Sequence, residues 1–323
     1  MRISAALPPG VTALLFEAAE RRLRLEQRLT AELAAAGYAE ALLPVLDYHE
    51  PYAALTSAER RGRLYRFIGR DGEQLALRAD FTPMLARLLA PRLGALASPL
   101  RLCYRGDVVR HEEEPGGRWH EQYQLGAERI GGDGAEAESE VLELFVCLLA
   151  AAAPEPPVRV VLGFAGALDR PLAAARARGL EPAALAAALE RRERRAARAA
   201  GGVLPEVVER GVPADPALLG EEAARRLASL LALRCRLAAE EPAVELSVDL
   251  AEFARNTLDP ELPAGADPDY YDGLVFRAYA GRAARAVGSG GRYDRLFLRL
   301  GAATAAAGFS LGLDRLLDGG PAR

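Results

Sequence analysis

Gln122, Gln124, Gly126 and Glu128 recur at every second position of the stretch QYQLGAERI, and a β-strand would turn all four to one face together with Ile130. Two amides and a carboxylate make a poor core face. They make a good floor for a small polar ligand, because the bare glycine lets that ligand lie close to the backbone while its neighbours donate and accept. Tyr123, Leu125, Ala127 and Arg129 fall on the opposite face. By the same alternation Arg110 and Glu112 share a face of the preceding β-prone run. Between the two runs lies Glu114-Pro115-Gly116-Gly117, a turn-forming cluster, so residues 101–131 read as an antiparallel hairpin with a long polar tip. A solvated hairpin with one wet side fits the pattern as well, and this stretch alone leaves both readings open.

Other residues with chemical potential are fewer. His49, His111 and His120 have no metal-ligand spacing with Cys103, Cys147 or Cys235, so neither a metal site nor a cofactor is expected. The three cysteines lie far apart among apolar neighbours and read as buried free thiols in a reducing compartment. The run Val287-Gly288-Ser289-Gly290-Gly291-Arg292-Tyr293-Asp294 opens a helix. Such a run can cradle phosphate at the helix start, or it can let backbones pack closely. Every basic residue is Arg, and the formal net charge of -4 argues against a broad nucleic-acid surface. The Arg-rich stretch 191–198 reads as a solvated helix face. No basic-then-apolar signal opens the chain, and its longest apolar run, residues 144–153, is about half of a membrane span. A cytoplasmic protein without membrane contact is expected.

The elements that would position these residues follow from periodicity. Residues 13–36 have helical spacing and end at Gly37. Residues 41–46 read as a strand that Pro44 confines to an edge or interface. Residues 64–68 and 74–77 pair through a turn at 69–72, and Arg78-Ala79-Asp80-Phe81-Thr82-Pro83 leaves that hairpin to open a helix over 84–89. A helix spans 136–152 and a strand 158–162. From 166 to 241 Ala, Leu, Arg and Glu dominate, with helices over 168–177, 182–199 and 221–239. Strands return at 244–250, 277–280 and 308–313, with a helix at 295–300. At 323 residues the chain is long enough for roughly two domains.

Several of these stretches, in this order, resemble the motifs of class II aminoacyl-tRNA synthetases, and in detail those of histidyl-tRNA synthetase. The first helix with Gly37-Tyr38 and Pro44 resembles the dimer-forming first motif. Arg110-His111-Glu112, Gly117-Arg118 and Gln124-Leu125-Gly126-Ala127-Glu128 resemble the second. Gly290-Gly291-Arg292-Tyr293-Asp294, with Gly308-Phe309 and Gly312-Leu313-Asp314-Arg315-Leu316, resembles the histidine-specific third. Arg78-Ala79-Asp80-Phe81-Thr82 and Asp269-Tyr270-Tyr271 resemble two further histidine-pocket signatures. The resemblance implies an α+β fold, an antiparallel sheet flanked by helices with a helical insertion. It divides the chain into a core over 1–162, the insertion over 163–242 and the rest of the core over 243–323, with no anticodon-binding domain. It also implies that Asp80, Thr82, Gln124, Glu128 and Tyr271 hold histidine, each being otherwise an ordinary strand-end polar residue. Arg110 and Arg315 correspond to nucleotide-gripping arginines, kept here as remnants or as structural ion pairs.

Two departures bear on function. Where the synthetases carry Arg-Gly-Leu before Asp-Tyr-Tyr, this chain has Ala266-Asp267-Pro268. Loss of that preorganised cation removes several kcal/mol of transition-state stabilisation, roughly 3–4 on the scale of one oxyanion-hole donor. The chain also stops soon after the third motif. Together these resemble the family of ATP phosphoribosyltransferase regulatory subunits. Such a subunit has no catalytic residue of its own and charges no tRNA. It assembles with a short-form ATP phosphoribosyltransferase catalytic subunit, pairs with itself through the first motif, and takes L-histidine as effector in the first step of histidine biosynthesis. A truncated histidine-activating enzyme, with Arg277 or Arg282 replacing the missing cation, and a free-standing histidine sensor are the alternatives.

Overall fold

The computed structural model describes residues 6–56, 61–111, 113–114, 117–118, 120–152, 157–258, 271–280 and 286–318. Glu112, Pro115, Gly116, Ala266, Asp267, Pro268, Asp269, Tyr270 and Arg282 lie outside the described residues.

The first helix, α1 (Phe16–Ala35), buries Leu25, Leu29 and Leu33 at four-residue spacing, the stripe its sequence predicts. Gly37 follows at φ +80°, the left-handed conformation that a helix end favours. Next come β1 (Ala39–Glu40), β2 (Leu46–Tyr48), α2 (His49–Ala54), β3 (Arg66–Ile68), β4 (Gln74–Leu77) and α3 (Thr82–Leu89). The long hairpin consists of β5 (Leu100–Val109) and β8 (Glu121–Ile130), with β6 (Glu113–Glu114) and β7 (Gly117–Arg118) between them. Then follow α4 (Gly134–Ala152) and β9 (Val158–Phe164). The connection from β9 to its parallel neighbour β10 (Glu245–Val248) runs through α5 (Asp169–Arg176), α6 (Pro182–Glu190), α7 (Arg194–Ala200), α8 (Leu204–Arg210) and α9 (Glu221–Glu240). The chain closes with β11 (Leu274–Ala280), β12 (Gly288–Arg292), α10 (Asp294–Arg299), β13 (Ala306–Gly312) and α11 (Leu313–Asp318).

The main sheet is ordered β1-β5-β8-β13-β12-β11-β9-β10, antiparallel through its middle and parallel only at the two outer pairs. The fold is therefore α+β, a large sheet flanked by helices, as the sequence implied. One face is covered by α4, where Phe145 packs against Phe276 and Phe309 at ring-centroid distances of 4.7 and 5.2 Å. The helices between β9 and β10 add Leu185, Leu189, Val207 and Leu230 to the same buried cluster. A second sheet, β2-β4-β3, packs beside α2, and Arg87 of α3 pairs with Asp47 of β2.

Four expectations need correction. Residues 41–45 form no strand, because the carbonyls of Leu43 and Pro44 are taken by the Arg78 guanidinium at 2.7 and 2.9 Å. The single helix expected over 182–199 is two, broken at Arg192, whose φ of +60° redirects the chain while its side chain reaches Asp249. A short helix, α8, was not anticipated, although Pro205 at its first turn and buried Leu204, Val207 and Val208 are its signal. The cysteines are free but not all buried: Cys103 is buried, Cys147 half-buried and Cys235 exposed on α9. Among the described residues no helix is long and apolar enough to cross a membrane, and no His, Cys, Asp and Glu cluster suits a metal ion.

Candidate functional site

On the sheet face away from α4 lies a cavity of about 550 Å³. Its floor is made by β8, β13 and β12. Gln122 and Gln124 contribute their amides, while Gly308, Ser310, Gly312, Gly288 and Ser289 keep the neighbouring strands low. The alternation in β8 brings the two amides to the cavity, but Gly126 does not give a ligand access to the backbone as its bareness suggested, because a tyrosine ring covers it. Gly126 sits under Tyr104 and is paired with Ser310; a Cβ there would lie 2.5 Å from the Tyr104 hydroxyl and from the Phe309 carbonyl. The glycine-rich run 288–292 is not a phosphate cradle at a helix start but a central strand. A Cβ on Gly290 would stand 2.4 Å from the Phe276 ring, so close packing is the reason for that glycine.

The turn into α3 forms one wall. Arg78, 3% exposed, fixes it: besides the two carbonyls named above, its Nε and Nη2 donate to the Asp107 carbonyl at 3.2 and 2.8 Å, and its guanidinium stacks 3.9 Å over Phe81. With the backbone so anchored, Asp80 and Thr82 face the cavity. The Asp80 carboxylate accepts the Thr82 backbone N–H at 3.1 Å, and the Asp80 carbonyl accepts the Tyr52 hydroxyl at 2.9 Å. Tyr271, beneath whose ring Gly291 passes, completes another wall.

Glu128 lies behind that lining. It is 1% exposed, and its carboxylate accepts the hydroxyls of Thr82 at 2.6 Å, Tyr104 at 3.0 Å and Tyr293. Burial pushes its pKa up to about 8; the three hydroxyl donors oppose the shift and the like charge of Asp80 adds to it. Thr82 and Tyr293 line the cavity themselves, so they connect the buried carboxyl to whatever occupies it.

Arginines dominate the remaining wall. Arg63, Arg110, Arg255, Arg277 and Arg315 share the lining with Asp80, the only carboxylate among the described lining residues. Arg277 pairs with Glu252 at 3.4 Å and Arg255 with Glu190 at 2.5 Å, while Arg315 donates to the Ala286 carbonyl at 3.1 Å. This electrostatic arrangement suits a ligand that carries an anionic group together with an ammonium for Asp80. Asp314 points elsewhere: it accepts the Tyr123 backbone N–H and pairs with Arg22 of α1.

Of the residues singled out from sequence, Asp80, Thr82, Gln124, Tyr271, Arg110 and Arg315 line one cavity, and Glu128 supports it from beneath. Arg63, Arg255, Tyr279 and Tyr293 were missed as lining residues. Tyr293 had a signal in the Gly-Gly-Arg-Tyr-Asp motif; Arg63 and Arg255 are isolated in irregular segments.

The histidyl-tRNA synthetase family model matches residues 10–316. The ATP phosphoribosyltransferase regulatory subunit of Moorella thermoacetica is 34% identical, over 96% of this chain and 81% of its own length. The chain belongs to this family of regulatory subunits. Solved structures agree on the fold. A Bacillus halodurans protein described as an ATP phosphoribosyltransferase regulatory subunit/histidyl-tRNA synthetase superposes with a TM-score of 0.79 at 24% identity, covering 100% of this chain and 85% of that one. The ATP phosphoribosyl transferase (HisG:HisZ) complex from Thermotoga maritima gives 0.64 at 18% identity, covering 90% and 97%. In this family a synthetase-type sheet carries the name of a regulatory subunit, not of a catalytic one.

Proposed function

We propose that this chain is a cytoplasmic, non-catalytic subunit of ATP phosphoribosyltransferase that binds L-histidine in the cavity and makes a separate short-form catalytic subunit responsive to it. The observation that carries the proposal is the convergence of Asp80, Thr82, Gln124 and Tyr271 on one cavity over the buried Glu128, in a chain whose relatives are regulatory subunits. The α-ammonium of histidine suits Asp80, the imidazole suits Gln124 and Tyr271, and the carboxylate suits the arginine wall. Glu128 acts on the ligand through Thr82 and Tyr293. A volume of about 550 Å³ lies within the range of small-molecule sites.

The coupled assembly is supported by the Thermotoga complex, which shares the fold. Self-association through the first motif is supported by apolar exposure around α1 and β2: Phe16 is 88% exposed and Leu42 86%, with Leu15, Leu46 and Tyr48 also exposed. Ala266 in place of a catalytic cation, with the negative charge of Asp267 next to it in sequence, supports the absence of histidine activation and of tRNA charging.

The experiment mixes the purified chain with a short-form catalytic subunit and follows ATP-phosphoribosyl formation with and without L-histidine, beside histidine-dependent pyrophosphate exchange by the chain alone. Formation that depends on the chain and falls with histidine, without exchange, is expected. Robust exchange would instead make the chain an activating enzyme.

A further inference from the structure

Arg255 belongs to two parts of the molecule at once. Its side chain lines the cavity, yet it is held by Glu190, the last residue of α6 in the helical connection. Glu190 accepts both the Arg255 backbone N–H at 3.3 Å and its Nε at 2.5 Å, and the carboxylate is only 14% exposed. Two residues beyond Glu190 the α6–α7 corner turns at Arg192, a non-glycine residue at φ +60°. Arg192 in turn grips Asp249 and donates to the Val208 carbonyl at 3.2 Å, and Leu250 donates its backbone N–H to the Gly211 carbonyl at 2.7 Å. The segment 249–255 is therefore tied to the α6–α7 corner and the end of α8 by these polar contacts, beside Leu250, Ala251 and Ala254 buried in the same apolar cluster as Leu185 and Val207, and its single guanidinium, that of Arg255, stands in the cavity wall.

We propose that Arg255 couples the cavity to the helical connection: an anionic group on a cavity ligand competes with Glu190 for the Arg255 guanidinium, and taking it releases the α6–α7 corner. The inference rests on the reading of the cavity as a ligand site. A guanidinium offers a fork of five N–H donors that fits a carboxylate or a phosphate, so one Glu carboxylate and one ligand anion are chemically equivalent partners for it. A ligand shifts such an equilibrium only by its differential contact with the two states, and the exchanged ion pair supplies that difference. The shared chemistry is a compact anion, borne by an amino acid or by a nucleotide.

The test measures binding of L-histidine, histamine and inorganic pyrophosphate to the full chain by calorimetry, and amide hydrogen exchange across 182–210 with and without each. Glu190→Gln removes the competitor and is expected to tighten L-histidine about fivefold, the scale of one partly exposed ion pair, while histamine, which lacks the carboxylate, is unaffected. L-Histidine is expected to speed exchange at 182–200 in the wild type and not in Glu190→Gln. Combining Arg255→Gln with Glu190→Gln is expected to abolish the tightening. A tightening that survives in that double variant reflects the general field and overturns the proposal. Equal L-histidine affinity in wild type and Glu190→Gln also overturns it, and leaves histidine binding intact. Pyrophosphate binding that tightens in Glu190→Gln, with no L-histidine binding, sustains the coupling and refutes histidine as the ligand; no binding of either refutes both.

Discussion

Replacing Glu128 by Gln isolates the most unusual group in the molecule, a carboxyl with hydroxyl partners and no cation among its bonds. Gln keeps the shape and one acceptor oxygen; its amide N–H needs one of the three hydroxyls to turn and accept, which Thr82, Tyr104 or Tyr293 can do. The offset that this imposes is about 1 kcal/mol and independent of pH. The informative part is the slope. Burial raises the folded-state pKa from 4.5 to about 8, so the native protein keeps a proton that the unfolded chain has already lost. The stabilisation from the neutral carboxyl is complete below the unfolded value and drains away as pH rises towards the folded one, at about 1.4 kcal/mol per pH unit. Between about pH 5.5 and about pH 7.5 the wild type should lose roughly 2–3 kcal/mol relative to Glu128→Gln, which cannot titrate. Urea denaturation of both proteins at the two pH values reads this directly. Parallel stabilities would refute the reasoning, and a wild type that gains on the variant as pH rises would show that the hydroxyl donors outweigh desolvation and keep Glu128 ionised.

If L-histidine brings a positive group beside Asp80 and Glu128, binding near neutral pH should release protons from Glu128; calorimetry in buffers of different ionisation enthalpy measures the number, and no buffer dependence would contradict it. Arg78→Met should cost about 3 kcal/mol by urea denaturation, since the carbonyls of Leu43, Pro44 and Asp107 lose their donor at roughly 1 kcal/mol each. Arg78→Lys should recover only part of that, because an ammonium lacks the planar fork. Gly290→Ala should cost about 1–3 kcal/mol from overpacking against Phe276 and the Gly308 carbonyl. Gly37→Ala, where nothing lies within 4 Å, should cost about 1 kcal/mol from backbone strain alone. Equal losses in these two glycine variants would show that contact distance does not govern the first.

The sequence shows which face of β8 is polar because alternation is a local property, and the pairing of Gln124 with Gly312 then places that face on the cavity floor. Alternation says nothing about depth. Glu128 lies on the same face as Gln124, yet it is sealed off by hydroxyls from residues 24, 46 and 165 positions away, and its raised pKa is a consequence of that closure. The helical connection was legible for the same reason and failed at the same limit. Ala-rich spacing favours helix throughout 182–199, and what breaks it is the reach of Arg192 to Asp249, 57 positions on. Cys235 lies between Arg234 and Arg236, with Leu and Ala only beyond them, and α9 turns Leu227, Leu230 and Leu237 inward and leaves the cysteine on the outer face. Arg63 and Arg255 follow no period at all, because each reaches the cavity from an irregular segment, the first held by the backbone N–H of His111 and the second by the Glu190 carboxylate. Sites built from strand faces announce themselves in a single sequence, then, while residues that tune a site's charge or connect it to the rest of the fold do not. The Glu190–Arg255 pair is of the second kind, joining residues 65 positions apart, and only the folded chain reveals that a cavity-wall cation is shared with the end of a helix.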